Sequence, residues 1–116
     1  MPRTTALLTA AAVTAAGLTA CAADDGNSPQ VLAIFTILAD IASEVAGDAL
    51  TVESLTRPGA EIHGYDPTPG DIRAAADADV ILANGLNLEK WLDKLMADSD
   101  ATRVTVTDGI TPIPVE

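Results

Sequence analysis

The stretch "VLAIFTILADIASEVAGDALTVESL", residues 31–55, decides the fold. Val31–Phe35 is an unbroken apolar run of strand length, the pattern of a strand buried on both faces and hence of a parallel sheet covered by helices. Behind it, Ile37, Leu38, Ile41 and Val45 fall within an arc of about 100° at helical spacing, while Asp40 and Ser43 lie well away from it. The spacing predicts a helix with that apolar stripe, capped by Thr36 and closed by Gly47. Leu50–Leu55 then alternates and holds the β-branched pair Thr51 and Val52. Strand, helix and strand thus arrive within the length of one right-handed βαβ crossover.

The same alternation continues downstream. In "TPGD", Thr68 is placed to cap a second helix, Pro69 suits its first position, and Asp71 is the third residue in, where a carboxylate favours the positive end of the helix dipole. Asp79–Ala83, "DVILA", repeats the buried-strand pattern. "NGLNLEKWLDKLMAD", residues 84–98, puts Leu88, Trp91, Leu92, Leu95 and Met96 on one helical face against Glu89, Lys90, Asp93 and Lys94 on the other, which makes Trp91 a core residue. "RVTVTDG" closes with a short strand and a turn, and "ITPIPVE" is too proline-rich for a sheet interior. The fold class is therefore α/β, a small parallel sheet flanked by helices.

Composition narrows the partners. With 17 acidic against 6 basic side chains the 116-residue chain carries a net charge of −11, which repels phosphate backbones, so nucleic acid is not expected as a partner. One Phe, one Tyr and one Trp leave no stacking surface for bases or flat sugars.

The first residues are set apart from the fold. "MPRTTALLTAAAVTAAGLTAC" has a basic start at Arg3 and an uncharged apolar run from Ala6 to Leu18, the form of a secretory signal over residues 1–20 and too short for a stable membrane span. "LTA" directly before Cys21 resembles the lipobox of bacterial lipoproteins, which implies thioether lipidation of Cys21 and cleavage just ahead of it. Ala20 and Ala22 around Cys21 also suit ordinary signal peptidase, which would leave a freely secreted protein. The lone cysteine admits no internal disulfide. Residues 21–30, small, polar and without periodicity, read as a flexible tether, and residues 31–116 as the folded part.

In open parallel sheets ligands bind beyond the carboxyl ends of the strands. The segment after the second strand, "TRPGAEIHGYDP", is longer than the usual connection and contains His63, the only histidine. The loops at Thr36, Asn84 and Asp108 open on the same edge and are expected to surround His63 with polar groups. Pro58, Pro67 and Pro69 restrict the backbone around it and lower the entropy lost on holding a ligand. From the residues alone, His63 is a solvated loop side chain or a metal ligand. A catalytic site has nothing to stand on: no serine lies in a GxSxG elbow and no glycine-rich phosphate loop follows a strand.

"FTILADIASEVAGD", "RPGAEIHGYDPTPGDI" and "ADVILANGLNLEKWL", in this order behind a lipobox, resemble the metal-binding lipoproteins of bacterial ABC transporters, the TroA-like solute-binding family, from Val31 to about Pro114. "GAEIH" followed by "PTPGDI" is most similar to the manganese and iron branch. The resemblance implies the N-terminal lobe of a two-lobed, periplasmic-binding-protein-like fold with a helical backbone, and His63 as the first ligand of a divalent metal, Mn²⁺ or Fe²⁺ ahead of Zn²⁺. Tyr65 and Asp66, which flank the ligand, are candidates to orient the imidazole by hydrogen bonding. The family's later ligands are not found before Glu116, so the chain reads as a truncated lobe.

The function this implies is a lipid-anchored, extracytoplasmic, monomeric binding protein that captures the ion and delivers it to an ABC permease and its ATPase. It performs no chemistry on its ligand and is not an enzyme. A surface or adhesion lipoprotein without transport activity is the alternative, and a metal-dependent hydrolase would need a general base beside an open coordination position, which no motif marks.

Overall fold

The computed structural model describes residues 29–114. The leader, Cys21 and Glu116 lie outside the described residues. Strands β1 (Gln30–Ala33), β2 (Thr51–Ser54), β3 (Val80–Ala83) and β4 (Thr102–Thr105) form one parallel sheet in the order β2-β1-β3-β4. Helix α1 (Thr36–Ala46) joins β1 to β2 and helix α2 (Pro69–Asp77) joins β2 to β3. A short helix α3 (Leu92–Leu95), continued by a 3₁₀ turn over Met96–Asp98, joins β3 to β4. The α/β reading and the parallel sheet are confirmed.

The order of the strands disposes the helices. From β1 the chain moves outward to β2, whereas β2 to β3 and β3 to β4 run the other way across the sheet, so right-handed crossovers put α1 on one face and α2 with α3 on the other. Side chains alternate between these faces. Leu32, Ile34, Ile81 and Ala83 meet Ala75, Ala78, Leu92 and Leu95 in a core where Ile34, Ile81 and Leu92 are fully buried. Each such side chain contributes about 1.5–3 kcal/mol relative to exposure.

The opposite face is only partly covered. Helix α1 rests on β1 and β2 through Leu38 and Ala39, but of the expected stripe only Leu38 is buried; Ile37, Ile41 and Val45 are exposed. The reason is geometric: one helix is narrower than four strands, and nothing among the described residues overlies β3 and β4 on this side. The result is an apolar groove of about 630 Å³, with Ile41 and Val45 on its helical wall and Val80, Leu82 and Val106 on its floor.

Two local expectations are corrected. Phe35, not Thr36, is the N-cap of α1, and it makes no side-chain capping bond; Gly47 closes the helix as expected, with φ 54° and its N–H donating to Ser43. Residues 84–91 are turns rather than helix, because Gly85, Leu86 and Asn87 all take positive φ. Glu89, expected on the solvent face, is buried: it folds back so that Oε1 accepts the Gly85 N–H at 2.6 Å. Helix α2 starts as its sequence indicates, with Pro69 in the first turn and Thr68 and Asp71 exchanging bonds in a capping box.

Candidate metal centre

All four strands point the same way, so their carboxyl ends share one edge, and the connection between β2 and α2, residues 55–68, rises from it. Its first part is tied to the sheet: the Leu55 N–H donates to Ala33 O at 2.8 Å, Ser54 Oγ donates to Thr56 O at 2.8 Å, and Leu55 and Thr56 are buried.

Its last part is tied to helix α2. Asp71 Oδ2 accepts from the Tyr65 hydroxyl at 2.9 Å, from Thr68 N at 2.7 Å and from Thr68 Oγ1 at 2.8 Å. Burial raises the Tyr65 pKa above the ordinary phenol value, and the hydrogen bond and charge of Asp71 push it the same way, so the hydroxyl stays protonated and donating at neutral pH.

Between these anchors stands His63, exposed to solvent. Among the described residues its ring makes no hydrogen bond, while its backbone is held on several sides. Glu61 accepts the His63 N–H through Oε1 at 2.8 Å and the Gly64 N–H through Oε2 at 2.6 Å. Trp91 Nε1 donates to the Ile62 carbonyl at 2.6 Å. The Trp91 ring also packs on Tyr65, with centroids 5.1 Å apart and planes tilted by 54°. Trp91 is thus half core and half anchor, a role its place in the apolar stripe did not reveal.

Tyr65 is directed to Asp71. Asp66 lines a cavity of about 390 Å³ with Arg57, Pro58 and Tyr65, on a part of the loop whose lining does not include His63. The neighbouring loops are knitted to one another: Thr107 Oγ1 donates to Asn84 O at 2.5 Å, and Asn84 Nδ2 to Gly85 O at 3.0 Å. No group of three or more His, Cys, Asp or Glu side chains able to hold a metal occurs among the described residues. The chemistry on offer is a single imidazole, a borderline nitrogen donor suited to Mn²⁺, Fe²⁺ or Zn²⁺, raised on a stiffened loop.

Residues 31–116 match the family described as zinc-uptake complex component A, periplasmic (ZnuA). The chain belongs to the ZnuA family. Similar proteins include the iron-binding protein YfeA of Yersinia pestis, 46% identical over an alignment 119 positions long that covers 97% of this chain and 38% of YfeA. The manganese-binding lipoprotein MntA of Halalkalibacterium halodurans is 38% identical over 94 residues, 80% of this chain and 31% of MntA. Among solved structures, the Mn-bound periplasmic metal binding protein from Candidatus Liberibacter asiaticus superposes with a TM-score of 0.71 at 39% identity, over 76% of this chain and 34% of that one.

This chain therefore spans about a third of the length of the ZnuA-family relatives it matches. The resemblance drawn from the three motifs is confirmed, and with it the reading of the fold as part of a periplasmic metal-binding protein. YfeA and MntA bear the names of binding proteins, and a further relative, PsaA of Streptococcus pneumoniae, 34% identical over 85% of this chain and 36% of PsaA, that of a manganese ABC transporter substrate-binding lipoprotein.

Proposed function

We propose that this chain forms the N-terminal lobe of an extracytoplasmic solute-binding protein that captures a divalent metal ion and hands it to an ABC permease with its ATPase. The observation that carries the proposal is His63: an exposed imidazole whose ring has no partner among the described residues, on a loop tied at both ends, at the edge of a parallel sheet where ligands bind. A ring held this way loses little freedom on binding an ion.

Mn²⁺ or Fe²⁺ is the proposed cargo, with Zn²⁺ as its chief competitor. The names of YfeA and MntA support the first two, and the family's description supports the third. The mode of action is binding and release, with no covalent step. Residues 1–20 serve as the export signal, Cys21 carries the lipid anchor, and residues 21–30 tether the lobe to the membrane; the lipoprotein name of MntA supports this. Two or more acyl chains suffice for stable anchoring where one does not.

A tight divalent site takes about four or more ligands, and one imidazole is a fraction of that. Calorimetry with Mn²⁺ under anaerobic, chelator-cleaned conditions is expected to give this chain an affinity weaker than about 1 μM, lost in His63→Ala. Submicromolar binding by the chain alone, or unchanged binding in the variant, would overturn the proposal. For the anchor, a palmitate analogue fed to expressing cells should label the wild type and not Cys21→Ser. An unlabelled wild type removes the anchor.

A further inference from the structure

The carboxylate of Glu61 turns back on the loop that carries it. Its two oxygens take consecutive backbone N–H groups, those of His63 at 2.8 Å and Gly64 at 2.6 Å. The Ile62 carbonyl and the His63 N–H belong to one peptide plane, and that plane is gripped at both ends, by Trp91 Nε1 at 2.6 Å on the oxygen and by Glu61 on the nitrogen. The next plane, between His63 and Gly64, is held through the Gly64 N–H.

Because both planes meeting at the His63 α-carbon are fixed, so is the direction of its Cα–Cβ bond, while the side chain remains free to rotate towards a ligand. Hydrogen bonds to a charged acceptor are among the stronger ones, which matters for a loop open to water. Gly64 fits this arrangement closely, since a Cβ there would stand 3.0 Å from Glu61 Oε2.

We propose that Glu61 is a positioning residue for metal capture, acting through the backbone of His63 and not as a ligand. The inference rests on the reading of His63 as a ligand. With both oxygens engaged by amides, Glu61 contributes geometry, and the ion meets an imidazole already aimed. Loss of such outer contacts commonly lowers metal affinity by 10–100-fold. Glu61 being exposed, its loss is expected to leave global stability nearly untouched.

The test uses the 116-residue chain with Mn²⁺ alone as probe, and reads three quantities: affinity, from the paramagnetic broadening of the His63 ring resonances; amide exchange at His63 and Gly64; and the thermal midpoint. Glu61→Ala should bind about tenfold more weakly, exchange both amides faster and keep the wild-type midpoint. Glu61→Asp should recover most of the affinity, because an Asp carboxylate readily accepts from N–H groups two residues ahead. Wild-type affinity in Glu61→Ala overturns the proposal, and so does a loss in Glu61→Asp as large as in Glu61→Ala. The two readings fail separately: a His63→Ala chain that binds Mn²⁺ by calorimetry as the wild type does removes the ligand, whereas unchanged amide exchange in Glu61→Ala removes the brace even if His63 is the ligand.

Discussion

The two faces of the sheet are built from the same four strands and end in different states. On the side of α2 and α3, Ile34, Ile81, Ala83 and Leu92 are all 0% exposed. On the side of α1, Val104 and Val106 are 43% and 41% exposed, and Val45 on the helix 85%. The closed face also carries the anchors of the candidate site, since Trp91 leads directly into α3 and Asp71 belongs to α2. The lesson is that the geometry of the His63 loop depends on the finished half of the lobe. The open half is an association hazard of the kind that parallel sheets ordinarily keep covered.

The sharpest way to break this comparison is a pair of truncations. Ile81→Ala, at the centre of the closed face, should cost about 2–5 kcal/mol, while Val45→Ala should cost less than about 0.5 kcal/mol, both read by chemical denaturation. A Val45→Ala cost of the same size as the first would mean that the open groove is closed in solution.

Next in size comes Gly85→Ala. Gly85 has φ 86°, and a Cβ there would run into Thr105 Cγ2 and stand 2.7 Å from Thr107 Oγ1, so about 2 kcal/mol or more should be lost, with the seam between the β3 and β4 loops loosened. The thermal midpoint measures the loss; an unshifted midpoint would show that the two loops part freely.

Trp91→Phe should lose less than Gly85→Ala. It keeps a ring against Tyr65 and removes the donor to Ile62, for about 1 kcal/mol, and should weaken Mn²⁺ binding severalfold. Affinity equal to the wild type would separate the site from the closed face.

Much of this was legible in the residue order. The apolar runs at Val31 and Val80 fixed the parallel strands within a residue or two, and Thr68, Pro69 and Asp71 announced helix α2, because strand burial and capping are decided by neighbours in sequence. The length of its loop and its uniqueness single out His63 as a candidate ligand, although no periodicity says what holds it.

The misses have a common cause. Ile41 and Val45 are apolar at helical spacing, yet their burial depends on what lies across the sheet, which spacing does not encode. A helix running from Asn84 would put Glu89 on the solvent face; the Gly85–Leu86–Asn87 turn instead exposes an N–H that needs an acceptor, and the glycine is its one local sign. The bond from Trp91 to Ile62 joins residues 29 apart, beyond any local pattern.

The chain has a single tryptophan, and the structure hangs it by its indole N–H from the residue before His63. Its emission is therefore a private optical channel into the loop. With one tyrosine, Tyr65, packed beside it as an energy donor, motion or a paramagnetic ion near His63 registers as a change in fluorescence without any label.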